Sequence, residues 1–273
     1  VTVISSVIGR KIQIDQLSKT LSVGRNILIE GPVGVGKTFL ISALLENLKR
    51  KFERIDGDSR YSEAKLTGWF DPPLVLKKGY TKDTFIDGPL VTAMRAGNVL
   101  FINELNRMPE AVQNILLPAM DEKRITLPKL GGVSAKKGFV VIATQNPREF
   151  TATHALSEAL LDRFEMIRLD YQTRAEEIDI VRPKVGKTSD IERAVDLVRA
   201  TRNHPLLKRG ASVRAAIAIV ELVSAGIEFE VACLMAMPSR IETISSEEDA
   251  ESIITALLRS LVPPPAKKKD LKN

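Results

Sequence analysis

Five short, almost uninterrupted apolar runs punctuate the first 171 residues: 26–30, 52–55, 99–103, 139–144 and 164–169. Runs of this length without polar alternation read as strands buried on both faces, the signature of a parallel sheet. Helical spacing fills much of the chain between them. The stretch 38–48 places Leu40, Ile41, Leu44, Leu45 and Leu48 on one side, and 110–120 repeats apolar residues at the same period. Strands alternating with amphipathic helices predict an α/β domain, a five-stranded parallel sheet covered on both faces. In such sheets ligands gather at the carboxyl ends of the strands. The glycine-rich stretch 31–38, the pair Asn103-Glu104 and Asn146 all fall at such ends.

Beyond Tyr171 the strand pattern stops and four helical segments are expected. Thr173 with Glu176, Ser189 with Glu192 and Ser245 with Glu248 each set a hydroxyl three residues before a glutamate, the spacing of a capping box. The last leads into the apolar stripe Ile253, Ile254, Leu257, Leu258 and Leu261. The pattern divides the chain into an α/β domain over 1–171, a helical domain over 172–262 and a basic tail over 263–273, read as disordered. Two insertions interrupt the first domain. One, about 60–87, separates the second and third strands; the other, about 124–138, reads as a hairpin around Gly131-Gly132. Trp69 and Phe70 in the first could grip a partner or pack locally, and Lys129, Lys136 and Lys137 in the second could follow phosphates or simply be solvated.

Composition narrows the function classes. Forty basic against thirty-four acidic residues leave a net charge of +6, which fits either a solvated basic face or an acidic partner such as nucleic acid. Two histidines and one cysteine cannot supply a zinc site of ordinary ligand count, so no structural metal is expected. Cys233 lies in the apolar run 231–235 and reads as a buried, inert thiol, consistent with a reducing cytoplasm. The longest apolar stretch, 215–226, is interrupted by Glu221 and too short to span a bilayer, so the expectation is a cytoplasmic protein with no membrane partner.

The chemistry concentrates in Gly31-Pro32-Val33-Gly34-Val35-Gly36-Lys37-Thr38, which follows a predicted strand and opens a predicted helix. Glycines let the backbone curl its N–H groups around an anion, and the helix adds the positive end of its dipole. Lys37 would reach the β- and γ-phosphates, and Thr38 carries the hydroxyl that such loops offer to Mg²⁺. ATP and Mg²⁺ are the cofactors this loop predicts. The run 98–104 is a second buried strand, ending in Asn103 and Glu104. A carboxylate there can orient the water that attacks the γ-phosphate; the plainer alternative for Glu104 is a loop or capping acid.

With these stretches in place the sequence resembles the AAA+ ATPases, within them the MoxR-like branch of the helix-2-insert clade. Five blocks carry the likeness: 31–38; 101–107; 112–122; 143–147 with 161–164; and 210–215. The resemblance implies a P-loop NTPase core with a small all-α lid, ATP hydrolysis, and a chaperone-like role in maturing protein complexes, often with a partner bearing a von Willebrand factor A domain. It implies assembly into a homo-oligomeric ring, with hexamers common among relatives. It makes Asn146 the first sensor, Arg163 the arginine finger given to the next subunit, and Arg214 the second sensor, while Ile8 and Gly9 belong to the stretch that packs on the nucleobase. Plainer alternatives stand beside these: an Asn-Pro turn at Asn146, an ion pair of Arg163 with Asp162, and a solvent-facing Arg214 in the first turn of a helix capped by Ser212. A nucleic-acid-associated ATPase of the same clade and a weakly hydrolysing assembly switch are the rival functions.

One position departs from the pattern. The family usually has aspartate where this chain has Asn103, a metal-site position together with Thr38. Asparagine keeps an acceptor oxygen but removes a full negative charge beside a divalent cation. Weaker magnesium binding and slow hydrolysis are the expectation.

Overall fold

The computed structural model describes residues 4, 6–146, 154–185, 190–245 and 249–261. The tail 263–273, Pro147, and one partner of each of two capping boxes, Ser189 and Glu248, lie outside the described residues. The chain forms two compact units, 1–170 and 171–273.

The first unit contains β1 (Ile27–Glu30), β2 (Phe52–Asp56), β3 (Gly68–Phe70), β4 (Phe85–Asp87), β5 (Val99–Asn103), β6 (Arg124–Leu127), β7 (Gly131–Ser134), β8 (Val140–Gln145) and β9 (Glu165–Arg168). Five of them pair in parallel in the order β2-β5-β8-β1-β9. Leu100, Ile102, Val141, Ala143 and Leu28 are wholly buried or nearly so, which is why these strands are apolar throughout. Helix Lys37–Asn47 follows β1, burying Leu40, Ile41, Leu44 and Leu45. The stretch 110–120 forms two short helices, Glu110–Asn114 and Leu116–Asp121, instead of one. Pro118 has no N–H to return to Asn114, so the ladder breaks there.

The insert after β2 is built, not a bare loop. Helix Glu63–Thr67 is capped by the Ser62 hydroxyl, β3 and β4 form an antiparallel hairpin, and helix Pro72–Lys78 between them is capped by Asp71, whose Oδ1 accepts from Leu74 N–H at 3.0 Å. The hairpin separates the two aromatics. Phe70 packs edge-on against Tyr80 and Phe85, at 4.9 and 5.0 Å between ring centres, whereas Trp69 stands across from Ile86, both exposed. The second hairpin, β6–β7, turns at 128–130 and not at the glycine pair. Lys129 and Gly131 hold the positive φ angles, and Gly132 lies in β7 beside the Arg124 guanidinium.

The second unit holds helices Arg174–Val185, Ile191–Arg202, Val213–Ser224, Phe229–Ala236 and Ala250–Leu261, with a small hairpin of β10 (Leu207–Arg209) and β11 (Glu242–Thr243). Among the described residues five helices stand where four were expected, because a turn at Gly226, φ 96°, divides the long apolar stretch between Val213 and Ala236. Thr173 and Glu176 form the expected capping box: Thr173 N–H donates to Glu176 Oε2 at 2.9 Å, and Glu176 N–H donates to Thr173 Oγ1 at 3.3 Å. Cys233 is buried, and that burial pushes its thiol up to about 12.

Glu177 is a buried charge of this unit, 2 % exposed, and it is held by Arg199 at 3.1 Å and Arg202 at 2.8 Å. Removing one partner of a buried ion pair strands the other charge in a poor solvent. Glu177→Ala is expected to cost about 3–5 kcal/mol, read as a lowered denaturant midpoint at unchanged slope.

Candidate nucleotide site at the carboxyl ends of the sheet

Between β1 and its helix the chain adopts the curled path that the glycines permit. Gly34 and Gly36 have φ of 81° and 86°, a region closed to most side chains, and Gly36 is the N-cap of helix Lys37–Asn47 with no side chain capping it. The first-turn amides of a helix lack carbonyl partners inside it, so a loop of this shape presents donors to an anion. Gly31 is needed for a different reason. A Cβ there would come within 2.3 Å of the Leu169 carbonyl oxygen, at the end of the neighbouring β9. Lys37 folds over the loop, its Nζ donating to the carbonyls of Gly31 at 2.5 Å and Pro32 at 2.9 Å.

β5 lies two strands from β1 and brings Asn103 and Glu104 to the same end of the sheet. Asn103 Oδ1 accepts from the Thr38 hydroxyl at 2.8 Å and from the Thr144 hydroxyl at 3.1 Å, while its Nδ2 donates to Asp56 Oδ1 at 2.8 Å. Giving its proton to Asn103 leaves the Thr38 oxygen with lone pairs for a cation. The loop and Thr38 therefore fit a Mg²⁺-bound triphosphate by curvature and by donor chemistry.

Glu104 has φ 58° and ψ 53°, the left-handed region, which disfavours a side-chain-bearing residue by about 1–2 kcal/mol. Its N–H is held by Thr144 Oγ1 at 2.8 Å and its carboxylate meets Arg107 at 3.1 Å. Backbone strain of this kind, fixed by neighbours, marks positions where side-chain direction matters. Gly57 fixes it from below. A Cβ at Gly57 would lie 2.1 Å from the Glu104 carbonyl oxygen, and Gly57 N–H donates to the Asn103 carbonyl at 2.7 Å. Gly57→Ala is expected to destabilise the fold by roughly 1–3 kcal/mol of overpacking and to depress turnover more than nucleotide binding, by calorimetry and paired binding and phosphate-release assays.

Asn146 is 6 % exposed and directly follows β8, whose Gln145 stands opposite Glu30, the residue before Gly31. Asn146 thus follows the strand that lies beside the one leading into the loop. Ile8 and Gly9 precede Arg10, whose guanidinium donates to the Val35 carbonyl at 3.2 Å and to the Asp170 carbonyl, so this stretch also meets the loop. Arg163 is elsewhere. It precedes β9, and Asn26, which precedes β1, donates its side-chain amide to the Arg163 carbonyl at 3.4 Å. Both therefore sit at the amino ends of the sheet, at least the length of the four-residue β1 from the loop, about 13 Å at ~3.3 Å per residue. Arg163 pairs with Asp121 at 2.5 Å and with the Ala159 carbonyl, not with Asp162. It shares a depression of about 420 Å³ with Arg25 and Lys123, and burial pushes the Lys123 ammonium below its usual range. Arg214 lies in the second unit, exposed in the first turn of helix Val213–Ser224. Ser212 is the N-cap there, but its hydroxyl makes no capping bond.

Sequence reasoning did not find Asp56, Gly57, Thr144 or Arg107. Only the register Asp56↔Asn103 between β2 and β5 could have found the first.

A family model for an AAA domain, dynein-related subfamily, matches residues 26–164. A gas vesicle ATPase, GvpN, of Haloferax mediterranei is 31 % identical over 224 residues, covering 76 % of this chain and 64 % of that protein. The chain spans about three-fifths of the length of two gas vesicle ATPases it matches, 64 % and 58 %. A crystal structure of a candidate ATPase from Cytophaga hutchinsonii superposes with a TM-score of 0.53 at 24 % identity, covering 94 % of this chain and 91 % of that one. The Thermotoga maritima RuvB Holliday junction branch migration motor gives 0.53 at 19 %, covering 93 % and 70 %. Both show the fold.

Proposed function

The chain belongs to the AAA domain, dynein-related subfamily, of the AAA+ ATPases, and from that premise we propose that it is an ATP-hydrolysing motor of MoxR type that remodels or matures protein complexes. The observation that carries the reading is the Thr38 hydroxyl turned onto Asn103 at the tip of β5, next to Glu104. Lys37 and the amides of 31–38 bind the phosphates. Mg²⁺, when bound through Thr38, would supply neutralisation of phosphate charge. Glu104 orients the lytic water, Asn146 reads the γ-phosphate through its amide, and Ile8 with Gly9 packs on the base.

Arg163 serves the site of a neighbouring protomer, because its own site lies at the other end of the sheet. The working form is therefore a ring of copies of this chain, with 172–262 as the lid that carries Arg214 as second sensor. A client that is a protein complex, a von Willebrand factor A partner and a cytoplasmic setting complete the reading; the outward Trp69 and Ile86 are its client contacts. Turnover is slow, because a neutral amide replaces a carboxylate at Asn103.

Equilibrium dialysis with labelled ATP, followed by a phosphate-release assay, tests the core of this reading. Retention strengthened by divalent cation and slow release of phosphate are expected. No retention at saturating Mg²⁺ would sink it. Capture of an ATP-locked Glu104→Gln form then identifies the client, and recovery of polynucleotide alone would replace the protein-remodelling role by a nucleic-acid one.

A further inference from the structure

Asn103 cannot do for a metal-bound water what the usual aspartate does. Its single acceptor atom, Oδ1, has two lone-pair positions, and both are occupied, by the hydroxyls of Thr38 and Thr144. Its other atom, Nδ2, only donates, and it points to Asp56. The orientation of the amide is not arbitrary. Turned over, it would set Oδ1 against the Asp56 carboxylate, two acceptors at hydrogen-bond distance, and would offer Nδ2 to Thr144, whose oxygen already accepts from Glu104 N–H.

The carboxylate in direct contact with Asn103 therefore acquires two consequences. Asp56 ends β2 as Asn103 ends β5, at the same register, and so stands at the ligand-binding end of the sheet. Both its bonds, to Asn103 at 2.8 Å and to Arg54 at 2.9 Å, use Oδ1, leaving Oδ2 for water. Resting on the reading of a nucleotide site above, the geometry points to Asp56 as the acidic residue of the divalent-cation site, displaced one strand from its usual place. It accepts from the cation's water shell through Oδ2 and, through Oδ1, holds the Asn103 amide so that Thr38 keeps its proton on Asn103 and its lone pairs toward the cation. The two strand ends divide between them what one aspartate does elsewhere. Asn103 orients the hydroxyl and Asp56 brings the charge.

The test is a charge exchange read by binding rather than by turnover. Nucleotide affinity is measured with a fluorescent ATP analogue across a Mg²⁺ titration, and Mn²⁺ held in the protein–nucleotide complex is followed by electron paramagnetic resonance. Asp56 is exposed, so Asp56→Asn is not expected to unfold the chain, and a melting curve checks this. In Asp56→Asn the Mg²⁺ concentration for half-saturation should rise about five- to tenfold and the bound-Mn²⁺ signal fall, with metal-free affinity unchanged, as exchange of one charge-assisted bond for a neutral one implies. Adding Asn103→Asp to Asp56→Asn returns the carboxylate to β5 and should restore the metal dependence to within about twofold of wild type, the non-additivity expected of coupled positions. An unchanged Mg²⁺ dependence in Asp56→Asn overturns the proposal. So does an equal loss of metal-free and metal-dependent affinity, which would make Asp56 a support of the loop. Wild type that retains no nucleotide at all refutes the nucleotide-site reading first, and this inference with it.

Discussion

Glu104→Gln should lower ATP turnover by roughly 10²–10⁴-fold, the usual worth of a positioned general base, while nucleotide affinity stays within about threefold. The amide has the size of the carboxylate and keeps the backbone bond from Glu104 N–H to Thr144 that fixes the left-handed turn. Only the charge that draws a proton from the attacking water is lost. That charge rests on Arg107 at 3.1 Å, with the pair about one-third and two-fifths exposed, so the contact is worth at most about 1 kcal/mol and releases readily. Single-turnover phosphate release and equilibrium binding separate the two effects. A variant that binds and hydrolyses like wild type would make Glu104 a loop acid and leave the chain a nucleotide-dependent switch.

The parts of this site that could be read in the sequence are those set by local chemistry. A buried parallel strand must be apolar on both faces, so β1, β5 and β8 announce themselves as runs, and the polar residue after each run marks a carboxyl end. The loop 31–38 declares itself because two of its glycines, Gly34 and Gly36, hold φ angles closed to most side chains. What depends on one strand lying beside another is silent. Asp56 follows an ordinary-looking Ile55, and its bond to Asn103 exists only because β2 and β5 pair in that register. Gly57 resembles any turn glycine until the Glu104 carbonyl is placed against it. The split at Pro118 is legible in its missing N–H, though apolar periodicity runs across it, and the glycine pair at 131–132 suggests a turn that in fact falls just before it, at 128–130. Phe70 and Trp69 are adjacent in sequence, yet strand alternation sends one into a ring cluster and the other outward, a distinction no composition reveals.

Arg163→Ala carries the other large effect, a loss of about 10³-fold or more in turnover if its guanidinium stabilises the transferred phosphoryl group. The topology makes this prediction sharper than a single rate. Arg163 and the loop occupy opposite ends of the same strands, so no rotamer brings the two together within a protomer. Its present partner, Asp121, forms a pair 28 % and 44 % exposed, an attachment that a neighbour's phosphates can replace at little cost. Rings of Arg163→Ala alone have intact water-orienting groups and no finger; rings of Glu104→Gln alone have fingers and no base. Mixed one to one, random pairing places a Glu104→Gln finger against an Arg163→Ala site at roughly a quarter of the interfaces, and turnover should recover in that proportion. Recovery can come only from an active site shared by two subunits. If the mixture is as inactive as either parent while native mass spectrometry finds both in one ring, the arginine acts within its own chain or not at all, and the arrangement of copies proposed above is wrong.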